Sequence, residues 1–478
     1  MTQVNSIPTH PLGLKPLGNQ YFTRAPIARR CTGSWGALPD EILSVVLDHF
    51  GTDDLLRLGS TCKFFYAFCH SDELWKSLYL RYSPQVLSPR ALSQGPPEVP
   101  TPERKEAKVD CSQVFSDVLH RPFACSNIAL SDYAGDIPKA NQISRFENLT
   151  YDEYAEKWTE TPFVLTKCIQ DWPVCSRWTI DSLLRDYADV EFRAEAVDWT
   201  FARYCDYMNT SRDESPLYLF DRKFAEKMSI EVGRGPDASY WRPECFGPDL
   251  FEVLGGERPA HRWLIIGPER SGSTFHKDPN GTSAWNAVVQ GSKYWIMFPP
   301  EAEVPGVYVS QDSSEVTSPL SIAEWLLTFH GEARRLPSCV EGVCAAGEML
   351  HVPSGWWHLV VNLESGIALT QNFVPQSPSL SLLCEVLAFL RDKPDQVSGF
   401  PRHVENPFEL FSERLGQGYP SLLQRGLELA DRKAGKKRKW DVAVGRDEEG
   451  QQGAGPDAAF SFGFGDLDDL EEEEEEET

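Results

Sequence analysis

Hydrophobic residues change their spacing several times along the chain, and each change predicts a different kind of element. The first 33 residues mix Pro, Gly and polar residues with no sustained period, which predicts an irregular stretch. From Leu38 the segment LPDEILSVVLDHFGTDDLLRLGSTCKFF places apolar residues at Ile42, Leu43, Val46, Leu47 and Phe50, then at Leu55, Leu58 and Cys62. Steps of three and four predict short amphipathic helices, with Gly51 ending the first, so residues 34–83 read as a compact helical module. Residues 84–108, PQVLSPRALSQGPPEVPTPERKEAK, are rich in Pro and Ser and read as a linker.

Between 109 and 375 the pattern becomes that of short strands. A helix feeding a strand is expected in TYDEYAEKWTETPFVLTKC, and Gly and Pro then punctuate HRWLIIGP, AWNAVVQ, KYWIMFPP, HLVVNL and GIALTQNFV. AWNAVVQ and KYWIMFPP, separated by Gly291 and Ser292, read as a hairpin. Strands do not alternate with helices, so an all-β barrel or sandwich is expected and a parallel α/β sheet is not. Helical spacing returns over 376–432, in LSLLCEVLAFLRDK and PFELFSERL. The apolar face of those helices needs a cover, either the β unit or a second copy of the chain in a homodimer. Residues 433–478 hold the basic cluster Lys436, Lys437, Arg438 and Lys439 and an acidic tail, for which no fold is expected.

Composition narrows the class. A 41% hydrophobic share with 14 Trp, 15 Tyr and 26 Phe in 478 residues argues for several folded units. The net charge of -25 owes much to DLDDLEEEEEEET at the end of the chain, so it does not describe the folded part. Twelve cysteines without a C-x-x-C pair suggest neither a zinc ribbon nor a disulfide framework. No apolar run approaches the roughly 18 residues of a membrane span, and the expected setting is the nucleus or the cytosol. The basic cluster fits nuclear import, contact with nucleic acid, or a solvated segment.

Candidate chemistry lies in STFHKDPNGTSAWN. In an extended strand, residues two apart share a face, so His276 and Asp278 look the same way and Lys277 the other. An imidazole and a carboxylate so placed supply two ligands to a divalent metal, and a third histidine would complete a 2-His-1-carboxylate triad with open positions. His358, 80 residues after Asp278 and behind the turn Pro353-Ser354-Gly355, is the candidate. His351, before that turn, reads as structural or supporting, and Trp356 and Trp357 as walls that exclude water. Lys293 opens a strand among apolar neighbours, and a buried lysine needs a counter-charge, which a dicarboxylate cosubstrate would provide.

Two resemblances extend this reading. The helical module is similar to an F-box in its Leu-Pro-x-Glu-Ile-Leu opening, in Asp54-Leu55, in Cys62-Lys63-x-Phe65 and in Leu74-Trp75. That implies an apolar face of Pro39, Ile42, Leu43 and Leu55 docking on a Skp-type adaptor of a ubiquitin ligase; packing against the next domain is the alternative. The stretches DPNGTSAWNAVVQGSKYWIMFPP and PSGWWHLVVNLESGIALTQNF resemble Jumonji-C oxygenases of the phosphatidylserine-receptor (lysyl hydroxylase) branch. The resemblance implies a mainly β, double-stranded β-helix fold of the jelly-roll, cupin-like kind. It also implies iron(II) with 2-oxoglutarate and O2 as cosubstrates. Position by position it implies iron ligands at His276, Asp278 and His358 and cosubstrate contacts at Lys293, Thr370, Tyr218 and Asn286. Ser273 stands where the branch commonly has threonine and keeps the hydroxyl. The implied activity is hydroxylation of a protein side chain, either lysyl hydroxylation or demethylation of N-methyl arginine or lysine, on a substrate such as a histone or an RNA-processing protein. A substrate receptor whose barrel only recognises its target is the alternative.

Overall fold

The computed structural model describes residues 7–23, 27–82, 109–310, 316–319 and 321–443, with two compact units. The linker 84–108 and the acidic tail lie outside the described residues. In the smaller unit, helices α1 (Asp40–Asp48), α2 (Thr52–Gly59), α3 (Lys63–Cys69) and α4 (Asp72–Tyr82) follow one another closely. Asp40 and Glu41 open α1 and Asp53 and Asp54 open α2, where carboxylates meet the positive end of the helix dipole. Leu43, Leu47, Leu55, Phe64, Phe68 and Leu78 close on one another as the core.

Two expectations about this unit change. The first 33 residues, expected to be irregular, form 3-10 turns over Leu17–Phe22 and Ala28–Cys31, and Leu14 is buried in the helical core. The apolar face also differs from the expected set. Leu43 and Leu55 are wholly buried in the unit's own core, whereas Ile42, Val45 and Leu56 are 50%, 60% and 48% exposed and Pro39 is exposed beside them. Neighbouring helical residues are about 100° apart, so Ile42 and Leu43 cannot serve one surface.

The larger unit is built on strands β1 (Ser144–Phe146), β2 (Phe163–Leu165), β3 (Glu191–Ala194), β4 (Leu219–Asp221), β5 (Arg262–Gly267), β6 (Gly272–His276), β7 (Ser283–Gln290), β8 (Ser292–Phe298), β9 (Val340–Ala345), β10 (Met349–Val352), β11 (Trp357–Asn362) and β12 (Gly366–Phe373). One sheet runs β1-β2-β10-β7-β12-β5-β4-β3 and ends on a ninth strand, Val197–Thr200, and the other runs β9-β8-β11-β6. Val164, Ala284, Val288, Leu350 and Val352 of the first sheet share a core with Trp295, Met297, Cys344 and Val360 of the second.

The expected β7–β8 hairpin does not form. β7 pairs with β10 and β12, while β8 pairs with β9 and β11, so the chain passes from one sheet to the other at Gly291, whose φ is 83°. Its Cβ would lie 2.8 Å from the Ser365 carbonyl oxygen and 2.9 Å from Gly366 Cα, which leaves room for glycine alone. The crossing from sheet to sheet belongs to a jelly roll.

After β12, helices α5 (Ser381–Asp392), α6 (Pro407–Gly418) and α7 (Pro420–Ala443) follow. Leu383, Val386, Leu387 and Leu390 of α5 pack with Phe411 and Leu415 of α6 and with Leu250, Phe251 and Leu254. The apolar face that the pattern left between the β unit and a second copy is thus covered within the chain. The backbone of the basic cluster continues α7, and its side chains lie outside the described residues. No helix among the described residues is long and apolar enough to cross a membrane.

Candidate metal centre

β6 and β11 are antiparallel neighbours, and their register sets His358 opposite His276. Asp278 follows two residues on, and one ligand atom from each of His276, Asp278 and His358 lies within 4.8 Å of the others. The two imidazole centroids are 4.1 Å apart. Each ring is fixed in the same way: Nδ1 of His276 donates to the Thr274 carbonyl at 2.8 Å and Nδ1 of His358 to the Trp356 carbonyl at 3.1 Å. A carbonyl only accepts, so both rings carry the Nδ1–H tautomer and present the lone pair of Nε2.

Burial, with His358 adding its own charge, lowers the pKa of His276 to about 4, and burial does the same for His358. Both rings are therefore neutral at pH 7. Burial raises the Asp278 carboxyl to about 6, against the pull of His276 and a hydrogen bond with Asn372. Asp278 Oδ2 is buried with no hydrogen-bond partner. Two neutral imidazoles and a buried carboxylate oxygen without a partner form an incomplete set, and a divalent cation completes it. The residues fit a metal of the iron(II) class.

His276, Asp278 and His358 line a cavity of about 50 Å³ together with Tyr218, Ser273, Asn286 and Thr370. A strand that alternated strictly would turn Ser273 and His276 to opposite faces, since they are three residues apart. The β6–β11 register slips between His358 and Val360, which are opposite His276 and Ser273, and this bulge brings both side chains to the cavity. Asn286 of β7 and Thr370 of β12 are direct cross-strand partners. The Thr370 hydroxyl donates to the Trp285 carbonyl at 2.8 Å, and Asn286 Oδ1 is buried without a partner.

Lys293 is only 2% exposed and donates to the Tyr218 hydroxyl. It stands behind Tyr218 and does not itself line the cavity. Burial lowers its ammonium to about 7, so a carboxylate reaching this end would restore its charge.

Other expectations sort differently. His351 is fully buried among Tyr154, Phe163 and Phe246, and its two ring nitrogens face the Ala284 and Thr159 carbonyls, away from the metal cluster. Trp356 and Trp357 do not wall the cavity: Trp356 donates to the Glu160 carbonyl, and Trp357 lies under the Lys277 ammonium. Trp295 and Trp263 line it instead. Asn372, Phe220 and Trp263 were missed. Asn372 and Phe220 lie two residues from Thr370 and Tyr218, so strand alternation could have found them, whereas Trp263 joins through its pairing with Thr370.

Comparison with known proteins gives a consistent picture. Residues 150–378 match the cupin-like domain family and residues 35–81 the F-box-like family. The chain is 37% identical over 440 residues to the arginine-specific demethylase JMJ22 of Arabidopsis thaliana, which covers 87% of this chain and 83% of that protein. It is 32% identical over 325 residues to the bifunctional arginine demethylase and lysyl-hydroxylase psr-1 of Caenorhabditis elegans, covering 64% of this chain and 76% of that one. A more distant relative, 22% identical over 306 residues and covering 60% of this chain and 67% of its own length, is the 2-oxoglutarate and iron-dependent oxygenase JMJD4 homolog of Drosophila melanogaster.

Proposed function

Since the chain belongs to the cupin-like Jumonji-C family and carries an F-box-like domain, we propose that it is an iron(II)- and 2-oxoglutarate-dependent oxygenase of protein side chains. The observation that carries the reading is the buried cluster of His276, Asp278 and His358, with its unpartnered carboxylate oxygen, in one cavity with Tyr218 and Thr370. Bound iron and 2-oxoglutarate supply the oxidative decarboxylation that puts one oxygen atom of O2 into a substrate C–H bond. The protein's part is positioning and exclusion of water. His276, Asp278 and His358 would hold the metal. Lys293, from behind Tyr218, supplies the positive charge for the distal carboxylate of 2-oxoglutarate, with Tyr218, Thr370, Asn286 and Ser273 lining the pocket that receives it. Trp263 and Trp295 keep bulk water from the reacting carbon.

Demethylation of N-methyl arginine and lysyl hydroxylation are carried in the names of the two more similar relatives, and both need a cationic side chain delivered to this cavity. A histone or an RNA-processing protein fits that requirement, and a nuclear setting agrees with the basic cluster. In the helical unit, the exposed Pro39, Ile42, Val45 and Leu56 supply an apolar face for a Skp-type adaptor.

Purified protein with iron(II) and ascorbate should convert 2-oxoglutarate to succinate, and His276→Ala or Asp278→Ala should abolish this. Turnover that survives both changes sinks the site assignment. Mass spectrometry of basic protein substrates separates the two products, by gain of one oxygen or by loss of a methyl group.

A further inference from the structure

The turn just after Asp278 is held by a distant part of the chain. In Pro279–Thr282 the Thr282 N–H donates to the Pro279 carbonyl at 3.2 Å, and φ is positive at both central residues, 56° at Asn280 and 65° at Gly281. Asn-Gly is a favoured pair for such a turn, since both residues tolerate the left-handed region. The Asn280 side chain does more than tolerate it. It is 3% exposed and reaches residue 398, where Nδ2 donates to the Ser398 carbonyl at 2.9 Å and Oδ1 accepts from the Ser398 N–H at 3.1 Å. A carbonyl only accepts and a backbone N–H only donates, so the orientation of the amide is fixed. One side chain thus satisfies both polar groups of one residue, as a paired strand would.

Ser398 belongs to the strap that joins α5 to α6. This strap is anchored elsewhere too: the Gly399 carbonyl accepts from the Ala260 N–H at 2.7 Å, just before β5, and Val397 and Phe400 pack against the core of the C-terminal helices. Asn280 therefore ties the metal loop to a fixed point. Only Pro279 separates it from Asp278. The proline ring locks its own φ and confines the residue before it to extended backbone, where Asp278 sits with φ -63° and ψ 147°. Few free dihedrals remain, so the place of Asn280 sets the place of Asp278. Resting on the metal-centre reading above, we infer that Asn280 is a positioning residue, whose clasp on Ser398 holds the Asp278 carboxylate at the metal position and couples metal affinity to the order of the strap. Such coupling is reciprocal: if the clasp tightens metal binding, the metal tightens the clasp by the same factor.

Hydrogen exchange of the Ser398 N–H reads the clasp directly, because that proton is the one Asn280 accepts. In the full-length wild-type protein, saturating Mn(II) should slow this exchange about tenfold more than it slows the amides of α6, which report general stabilisation. Asn280→Gly keeps the positive φ and loses the amide. In that variant the calorimetric Kd for Mn(II) should rise about tenfold, within the worth of the two hydrogen bonds, and the extra protection of Ser398 should vanish. If Asn280→Gly does not fold, the wild-type exchange measurement decides alone. A Ser398 amide slowed no more than those of α6, or an unchanged Mn(II) Kd in the folded variant, overturns the inference. Wild-type protein that binds no Mn(II) overturns the metal-centre reading itself, a result distinct from the other two.

Discussion

Gly267→Ala tests the cosubstrate end of the pocket without removing a single polar group. Gly267 closes β5, and a Cβ built on it would lie 2.2 Å from Ser271 Oγ and 2.7 and 2.9 Å from Cδ2 and Cε2 of Tyr218. Carbon atoms in contact settle at about 3.5–4.0 Å, so the Tyr218 ring must retreat by about 1 Å or the strand must bend away. Crowding of this kind in a packed interior costs about 1–3 kcal/mol of stability, which a protein of this size survives. The retreat also draws the Tyr218 hydroxyl off its line to the ligand. Losing one hydrogen bond to a charged group, about 1.5–3 kcal/mol, corresponds to a rise of about tenfold to a hundredfold in the KM for 2-oxoglutarate. The metal ligands come from β6, from the residues just after it and from β11, so kcat at saturating 2-oxoglutarate should be retained. Succinate formation followed over a range of 2-oxoglutarate concentrations, with a thermal melt to show that the variant is folded, gives both numbers. A folded variant with unchanged KM would mean that Tyr218 does not sit at the cosubstrate, and the pocket assignment would fall with it.

Three further outcomes follow. Burial lowers Lys293 to about 7, and a bound carboxylate raises it, so binding takes up a proton above that pH. The affinity for 2-oxoglutarate should therefore fall as pH rises through 7 to 9, with a calorimetric enthalpy that depends on the buffer; Lys293→Met should lose both features, and their persistence in that variant would refute the assignment. Mn(II) at a hundredfold excess over its Kd should stabilise the wild-type protein by about 2.7 kcal/mol in thermal unfolding and leave Asp278→Ala unmoved; an equal rise in both places the metal elsewhere. In the helical unit, Ile42→Asp with Leu56→Asp should stop co-purification with a Skp-type adaptor while leaving the melt unchanged, whereas Leu43→Ala, buried in the core, should cost about 2–5 kcal/mol of stability. Adaptor binding that survives the double substitution would remove the proposed face.

The residues that the sequence made legible are those whose partners obey simple strand periodicity. His276 and Asp278 stand two apart, and His358 opens a strand, so their convergence needed only that β6 and β11 be neighbours, which their register shows. Ser273 is a different case. Its place in the cavity depends on the bulge between it and His276, and no residue pattern announces a bulge in a strand of Ser, Thr and Phe. For β7 and β8 the difficulty is of another kind. Both are buried along nearly their whole length, so neither alternates between apolar and polar, and the turn at Gly291 looks the same whether it closes a hairpin or carries the chain into a second sheet.

Helix α1 shows the same ambiguity in a helix. Ile42, Leu43, Val45, Val46 and Leu47 cover most of its circumference, so the pattern marks an amphipathic element without saying which side is the core. Packing decides it: Leu43 and Leu47, four apart, turn toward Leu55 and Phe64, and that choice forces Ile42 and Val45 outward. A surface that holds exposed Ile and Val next to a proline is more informative than the motif, since apolar side chains of this size left in water call for a partner. The pocket repeats the lesson from the polar side. Asn286 Oδ1 and Asp278 Oδ2 are buried without partners, and each such atom costs about 1–3 kcal/mol unless something enters to satisfy it. Motif and packing thus point to different things: the spacing of His276, Asp278 and His358 names the chemistry, and within the cavity the unpaired oxygens of Asp278 and Asn286 mark where it would receive what the chain does not itself supply.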